Sequence, residues 1–260
     1  MYVQHETRHA ELADRVEELA RVVLPWVEKV TGLPLPRPRF ELVDVDGLAT
    51  AYRSFVRRQM ERDTEGLDLT CYEQAKLVVH PQAAEALVRH AGLSERPVLI
   101  ATSVGQPSTL IVPESLGLQK LSETPDLLCD LLVHSLTQQA QVIAGGGQVV
   151  PAPEWPKFST SKHPIVQLSE GHAQWTSSLV TREITGSSRP DRSPLANVLA
   201  RSLLERVADR RVARASALVD QAVSTRGLPA FNAVWNTPSL VPTLAEFRHP
   251  GRWIGRMPPP

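Results

Sequence analysis

The segment between Thr124 and Gly145 constrains this chain most, because it is a helix whose two ends are both written in the residues. Thr124 is placed to cap it. Pro125 takes the first helical position, where a missing N–H is harmless, and Asp126 lies near the positive end of the helix dipole. Leu127, Leu128, Leu131, Leu132, Leu136 and Ala140 follow at helical spacing, and Gly145-Gly146-Gly147 ends the run. A helix this apolar has to be covered on most of its surface, so the rest of the chain must wrap it.

The wrapping elements can be placed in order. A helix is predicted from His5 to Val30 on the stripe Leu12, Val16, Leu19, Val23 and Val27, with Gly32 and Pro34 stopping it. Phe40 to Val45 alternates like a short strand, and helices are predicted over 48–62 and 82–90. Pro97–Ser103 and Thr109–Val112 read as a strand pair turning through Val104-Gly105-Gln106-Pro107. A helix over 165–184 follows. Another, capped by Ser193-Pro194, continues to Arg226 and closes at Gly227. No composition shift marks a linker, so the expectation is one domain over 1–260, its parts 1–123 and 124–257. The predicted class is mainly α (α+β), with a small β-sheet beside the central helices.

Composition narrows the function by exclusion. Lys plus Arg equals Asp plus Glu at 28 each, so no overall field draws in nucleic acid or an acidic membrane. No apolar stretch reaches membrane-spanning length, and Gln4 to Glu11 is polar where a secretory leader would be apolar. A cytoplasmic protein with a small-molecule partner is expected, and neither a nucleic acid nor a membrane partner. Cys71 and Cys129 form no CxxC pair and read as buried, inert thiols. The arginines at 206, 210, 211 and 214 read as a solvated helix face.

Within the apolar helix the polar exceptions carry the chemistry. Leu131 to Gln141 reads LLVHSLTQQAQ, which sets His134 and Gln138 one turn apart on one face. With Glu at 135 and His at 138 it would be the H-E-x-x-H pattern, two imidazoles holding zinc and a carboxylate acting as base. Thirty-two residues after Gln138 comes Glu170, in LSEGHAQW on the next strong helix.

These segments resemble the zincin-like (gluzincin-type) actinobacterial proteins labelled zinc-dependent metalloproteases or coenzyme F420 biosynthesis-associated proteins. LSEGHAQW is similar to that family's LLEGHAD stretch. The run from Phe231 to Arg256, FNAVWNTPSLVPTLAEFRHPGRWIGR, resembles its C-terminal ending. The resemblance implies that His134 and Glu170 stand at the first and third zinc-ligand positions, Ser135 at the general base and Gln138 at the second imidazole. Ser135 is too weak a base and Gln138 too weak a ligand for that role. The motif is therefore degenerate, no cofactor is expected, and zinc is the lesser alternative.

The catalytic candidates are thus His134 and Glu170, able to form an acid–base dyad without metal. Candidates for substrate contact are Gln138, Ser135, Gln174 and Trp155, the last on the proline-rich loop 145–164. Trp155 could equally belong to a stiff cover over the core. Asp130 is expected to hydrogen-bond His134 one turn away, and His172, about 200° round the helix from Glu170, to pack rather than ligate. Gln141 could line the same cleft or face solvent. The expected function is a repurposed enzyme on a small molecule. The rivals are a catalytically inactive pseudopeptidase that binds or scaffolds, and a zinc hydrolase with an unusual ligand set.

Overall fold

The computed structural model describes residues 2–4, 9–91, 98–101, 105–118, 125–147, 164–186 and 203–259. Thr124, Trp155 and Ser193-Pro194 lie outside them, so the expectations placed there are not addressed.

The described strands are β1 (Tyr2–Gln4), β2 (Arg39–Leu42), β3 (Val98–Ala101) and β4 (Pro107–Ile111). They form one sheet in the order β1-β2-β4-β3. β1, β2 and β4 are parallel, and β3 returns antiparallel along β4 as the strand pair predicted, with Leu99 opposite Thr109. The helices are α1 (Ala10–Thr31), α2 (Val45–Thr64), α3 (Cys71–Ala91), α4 (Pro113–Leu118), α5 (Pro125–Ala144) and α6 (Pro164–Thr185). They continue with α7 (Leu203–Asn232) and the short α8 (Pro250–Arg256). The mainly α fold with a small sheet is as expected, and none of the described helices is long and apolar enough to cross a membrane.

α1 buries Val16, Ala20, Val23 and Val27, the stripe read from its sequence, and Gly32 ends it at φ 65°. α5 lies across the sheet, and one buried side chain fixes it there. Gln139 donates through Nε2 to the Arg39 carbonyl and to Thr109 Oγ1, both at 2.8 Å, and accepts the Arg39 N–H at 3.0 Å. Three satisfied hydrogen bonds from a fully buried amide set the register of helix on sheet.

α6 packs antiparallel on α5: Asp130 meets Ser177 at one end and Gln141 meets Ser169 at the other. α7 runs parallel to α6, with Gly171 against Ala215 and the Trp175 indole N–H on Asp220 Oδ1 at 3.0 Å. A kink at Gly227 (φ 79°, ψ 165°) then turns the chain back across the core.

The C-terminal run holds itself by polar bonds. Thr243 and Glu246 form a reciprocal capping box, and Arg256 reaches both Glu246 oxygens at 2.9 Å through Nε and Nη2. Trp253, fully buried, donates its indole N–H to the Leu240 carbonyl at 2.6 Å. Asn232 donates to the Thr31 carbonyl at 2.8 Å, tying this layer to the end of α1. Residues of the run from Phe231 to Arg256 that carried the resemblance are thus held in structural bonds, Asn232, Thr243, Glu246, Trp253 and Arg256 among them.

A second cluster of Leu48, Phe55, Val56, Met60, Ile100 and Leu110 holds α2 and its partner α3 on the other side of the sheet. α3 begins eleven residues earlier than predicted and carries Pro81 inside it. Cys71, at its start, is exposed, which corrects the expectation of a buried thiol; Cys129 is buried, and both are free.

Candidate active site

Because α5 and α6 are antiparallel neighbours, residues one turn apart on each come face to face. His134 Nε2 lies 3.3 Å from Glu170 Oε2. Gln138, one turn along α5, donates its amide N–H to the other oxygen, Glu170 Oε1, at 2.7 Å. One carboxylate is therefore gripped from two successive turns of the facing helix. The His134 and Glu170 side chains keep 19% and 29% of their surface exposed, so the pair is partly enclosed and still reachable from solvent. Contact through Nε2 fixes the imidazole's orientation and, in the neutral ring, puts the proton on Nε2 and the lone pair on Nδ1.

The other candidates are placed differently. Ser135 is buried, and its hydroxyl donates back to the Leu131 carbonyl at 2.9 Å, so it does not join this group. The reason is helical phase: one residue on from His134 is a turn of about 100° toward the core. Gln174 points along its own helix to Ser178 Oγ at 3.3 Å and stays outside the cluster. Asp130 is buried, and the hydroxyl of Ser177 on α6 donates both to its carboxylate and, at 3.0 Å, to its backbone carbonyl. Trp155 lies outside the described residues.

Behind the pair sits a buried polar relay. Gln141 accepts the Ser169 hydroxyl and donates to His172 Nδ1 at 2.9 Å and to the Ser169 carbonyl at 3.2 Å. Acceptance at Nδ1 puts the His172 proton on Nε2, and the ring is enclosed by Phe231 at 4.9 Å, Trp235 at 5.4 Å and Trp175 at 5.9 Å between centroids. Complete burial pushes the His172 pKa down to about 3. His172 is a neutral packing residue whose ring joins α6 to the C-terminal layer.

That burial sets an acid limit on stability. The unfolded chain protonates His172 from about pH 6.5 downward while the native state resists until about 3, so stability falls as pH drops below 6.5. Glu246, held down to about 2 chiefly by Arg256, adds a second loss only once pH passes below its ordinary 4.5. We expect denaturation midpoints to decline from pH 6.5, and His172→Gln to flatten the limb above 4.5, leaving below it only the loss due to Glu246. An unchanged upper limb in that variant would reject the assignment.

A cavity of about 180 Å³ opens beside Gln138, walled also by Gln141, Val142, Ile165, Ser169 and Trp235; neither His134 nor Glu170 is among its described lining residues. The described residues lining it carry no charged side chain. Sequence reasoning missed Ser169 and Trp235. Trp235 had a signal only as part of the C-terminal run, and Ser169 only as the neighbour of Glu170.

The zinc that the resemblance implies does not suit this donor set. Of the three ligand positions one is an imidazole, one a carboxylate already engaged on both oxygens, and one an amide presenting its N–H. Zinc sites of this class take three strong protein ligands. Among the described residues no group of three or more His, Cys, Asp or Glu side chains is placed to hold an ion.

Comparison with known proteins agrees with the fold. Residues 175–254 match the family model described as zincin-like metallopeptidase, which supports a zincin-like family for the chain. No curated protein matches it. The fold is similar to that of a crystal structure from Chloroflexus aurantiacus, provisionally described as a hydrolase with a novel fold. Identity there is 19% and the TM-score 0.57, over 94% of this chain and 89% of the other.

Proposed function

We propose that this zincin-like chain has lost the peptidase metal site and works as a non-peptidase enzyme on a small molecule, with His134 and Glu170 as its acid–base pair. The contact of His134 Nε2 with Glu170 Oε2 at 3.3 Å, braced by Gln138 on the other oxygen at 2.7 Å, carries this reading. Glu170 fixes the tautomer and stabilises the imidazolium when His134 takes a proton. Nδ1 then exchanges that proton with a substrate. Partial exposure of the pair, and a cavity beside the Gln138 that braces it, favour an enzyme over a scaffold, in which the groove would be packed shut.

The test is spectroscopic first. Long-range ¹⁵N–¹H spectra should show His134 as the Nε2–H tautomer in the wild type and as a mixture in Glu170→Ala. A mixture already present in the wild type would sink the pairing. Once a substrate is in hand, His134→Ala and Glu170→Gln should each lower turnover by about a hundredfold or more. Unchanged rates in both would remove them from the mechanism.

A further inference from the structure

We propose that the outer face of α3 is a weak homodimer interface, where α3 of a second copy lies antiparallel about a two-fold axis at Val79. One side of α3 holds it to the molecule: Leu77, Ala84 and Val88 join the cluster that carries α2. The opposite side presents Tyr72, Val78, Val79 and Leu87, each more than half exposed. No exposed position from Gln74 to Leu87 is charged. Lys76 is laid over the Tyr72 ring at 4.2 Å, and Glu85 is bound by Arg53 and Arg89, so the two charges within that span are engaged. The neighbouring α2 has an ordinary solvent face, its exposed positions including Arg53, Arg57, Glu61 and Arg62. A charge-free apolar stripe beside a charged helix has the composition of an interface core.

The spacing of the stripe says what fits it. Its midline is Tyr72, Ala75, Val79, Ala83 and Ala86, all exposed, at steps of three, four, four and three. Those steps read the same from either end, with Val79 at the centre. A two-fold axis there sets Tyr72 of one copy against Ala86 of the other, Ala75 against Ala83, and Val79 against itself. The one large ring meets a methyl group, no like charges are brought together, and the two helix dipoles oppose each other favourably. Area then sets the strength. The exposed apolar side chains offer on the order of 500 Å², as much as the largest patch on a typical monomer. That is below the roughly 800 Å² per partner of a standard interface, so pairing should be reversible, with a Kd of about 100 µM.

Sedimentation velocity of the full-length protein from about 10 µM to about 1 mM reads the pairing directly. The average mass should rise from one chain toward two. Val79→Glu sets two carboxylates on the axis and should weaken pairing at least about thirtyfold. Val79 is 59% exposed, so that variant should keep the wild-type melting temperature. Val79→Cys in a Cys71→Ser background should form an intermolecular disulfide on oxidation, because the axis brings the two residues together. Native Cys71 is exposed and free but should not cross-link. It lies eight residues from the axis, which puts the two thiols about 24 Å apart along the helices. A monomer at every concentration, Val79→Glu pairing as tightly as the wild type, or a dimer cross-linked through Cys71 would each overturn the proposal. Should Val79→Glu fold poorly, the cross-linking pattern decides alone. Thiol labelling of dilute Val79→Cys tests the rival occupant, a segment of the same chain: labelling at the rate of an exposed thiol is expected, and protection would overturn the proposal.

Discussion

Gln138→His should turn the pair into a zinc site. The substitution puts a second imidazole one turn from His134 on the face of α5 that meets Glu170, and it deletes the amide N–H that now occupies Glu170 Oε1. Two imidazoles and a carboxylate, with a fourth position open, are a complete protein ligand set for this ion. Structural zinc sites bind with about 10–16 kcal/mol from four ligands, so one added strong ligand is worth about 3 kcal/mol, or about two orders of magnitude in affinity. Competition against a chromophoric chelator would measure it in wild type and variant side by side. Equal affinities would mean that α5 and α6 do not present these three positions to one point. Peptidase activity is not expected to return with the metal, since position 135 is turned into the core and offers no base.

That outcome turns on what the residues disclosed and what they concealed. α1, α5 and α6 were legible because caps, prolines and one-sided apolar spacing agree along them. The first half of α3 was not. Tyr72, Val78 and Val79 face outward, so no buried stripe announces the helix, and Pro81 reads as a break although it lies inside. β1 is three residues of mixed polarity, and only pairing with β2 makes it a strand. At the site, the resemblance supplied the pairing of positions 134 and 170, because nothing local to α5 points across to α6. Ser135 and Asp130 show the limit of spacing arguments. Both are near His134 in sequence, yet helical phase turns the Ser135 hydroxyl back to Leu131, and the Asp130 carboxylate, one turn away on the same face, accepts from Ser177 across on α6. Gln139 was invisible for the same reason, since its partners at Arg39 and Thr109 are 100 and 30 residues away.

Gly171→Ala should be the most damaging glycine-to-alanine change among the described residues, because the Glu-Gly-His step packs α6 directly against the backbone of α7. A Cβ at 171 would stand 2.4 Å from Ala215 Cβ, 2.6 Å from the Ala215 carbonyl carbon and 2.8 Å from the Ser216 nitrogen. Two of those three atoms are backbone, so no rotamer change relieves the clash and the helices must part. Alanine is otherwise the better helix former by about 1 kcal/mol, so the loss must first overcome that gain. We expect a net destabilisation of about 3 kcal/mol, or about 6–12 °C in Tm for a chain of this size. The damage should also reach the site, since Glu170 rides on the same turn and moves away from His134 with it. Adding Ala215→Gly should restore part of the loss and not all, because it clears the Cβ contact and leaves the backbone ones. Gly251→Ala is the control: nothing lies within 4 Å of its added carbon, and there the propensity gain should appear unopposed. If Gly171→Ala behaved like Gly251→Ala in thermal unfolding, the close packing of α6 on α7 would be wrong, and with it the placement of Glu170 opposite His134.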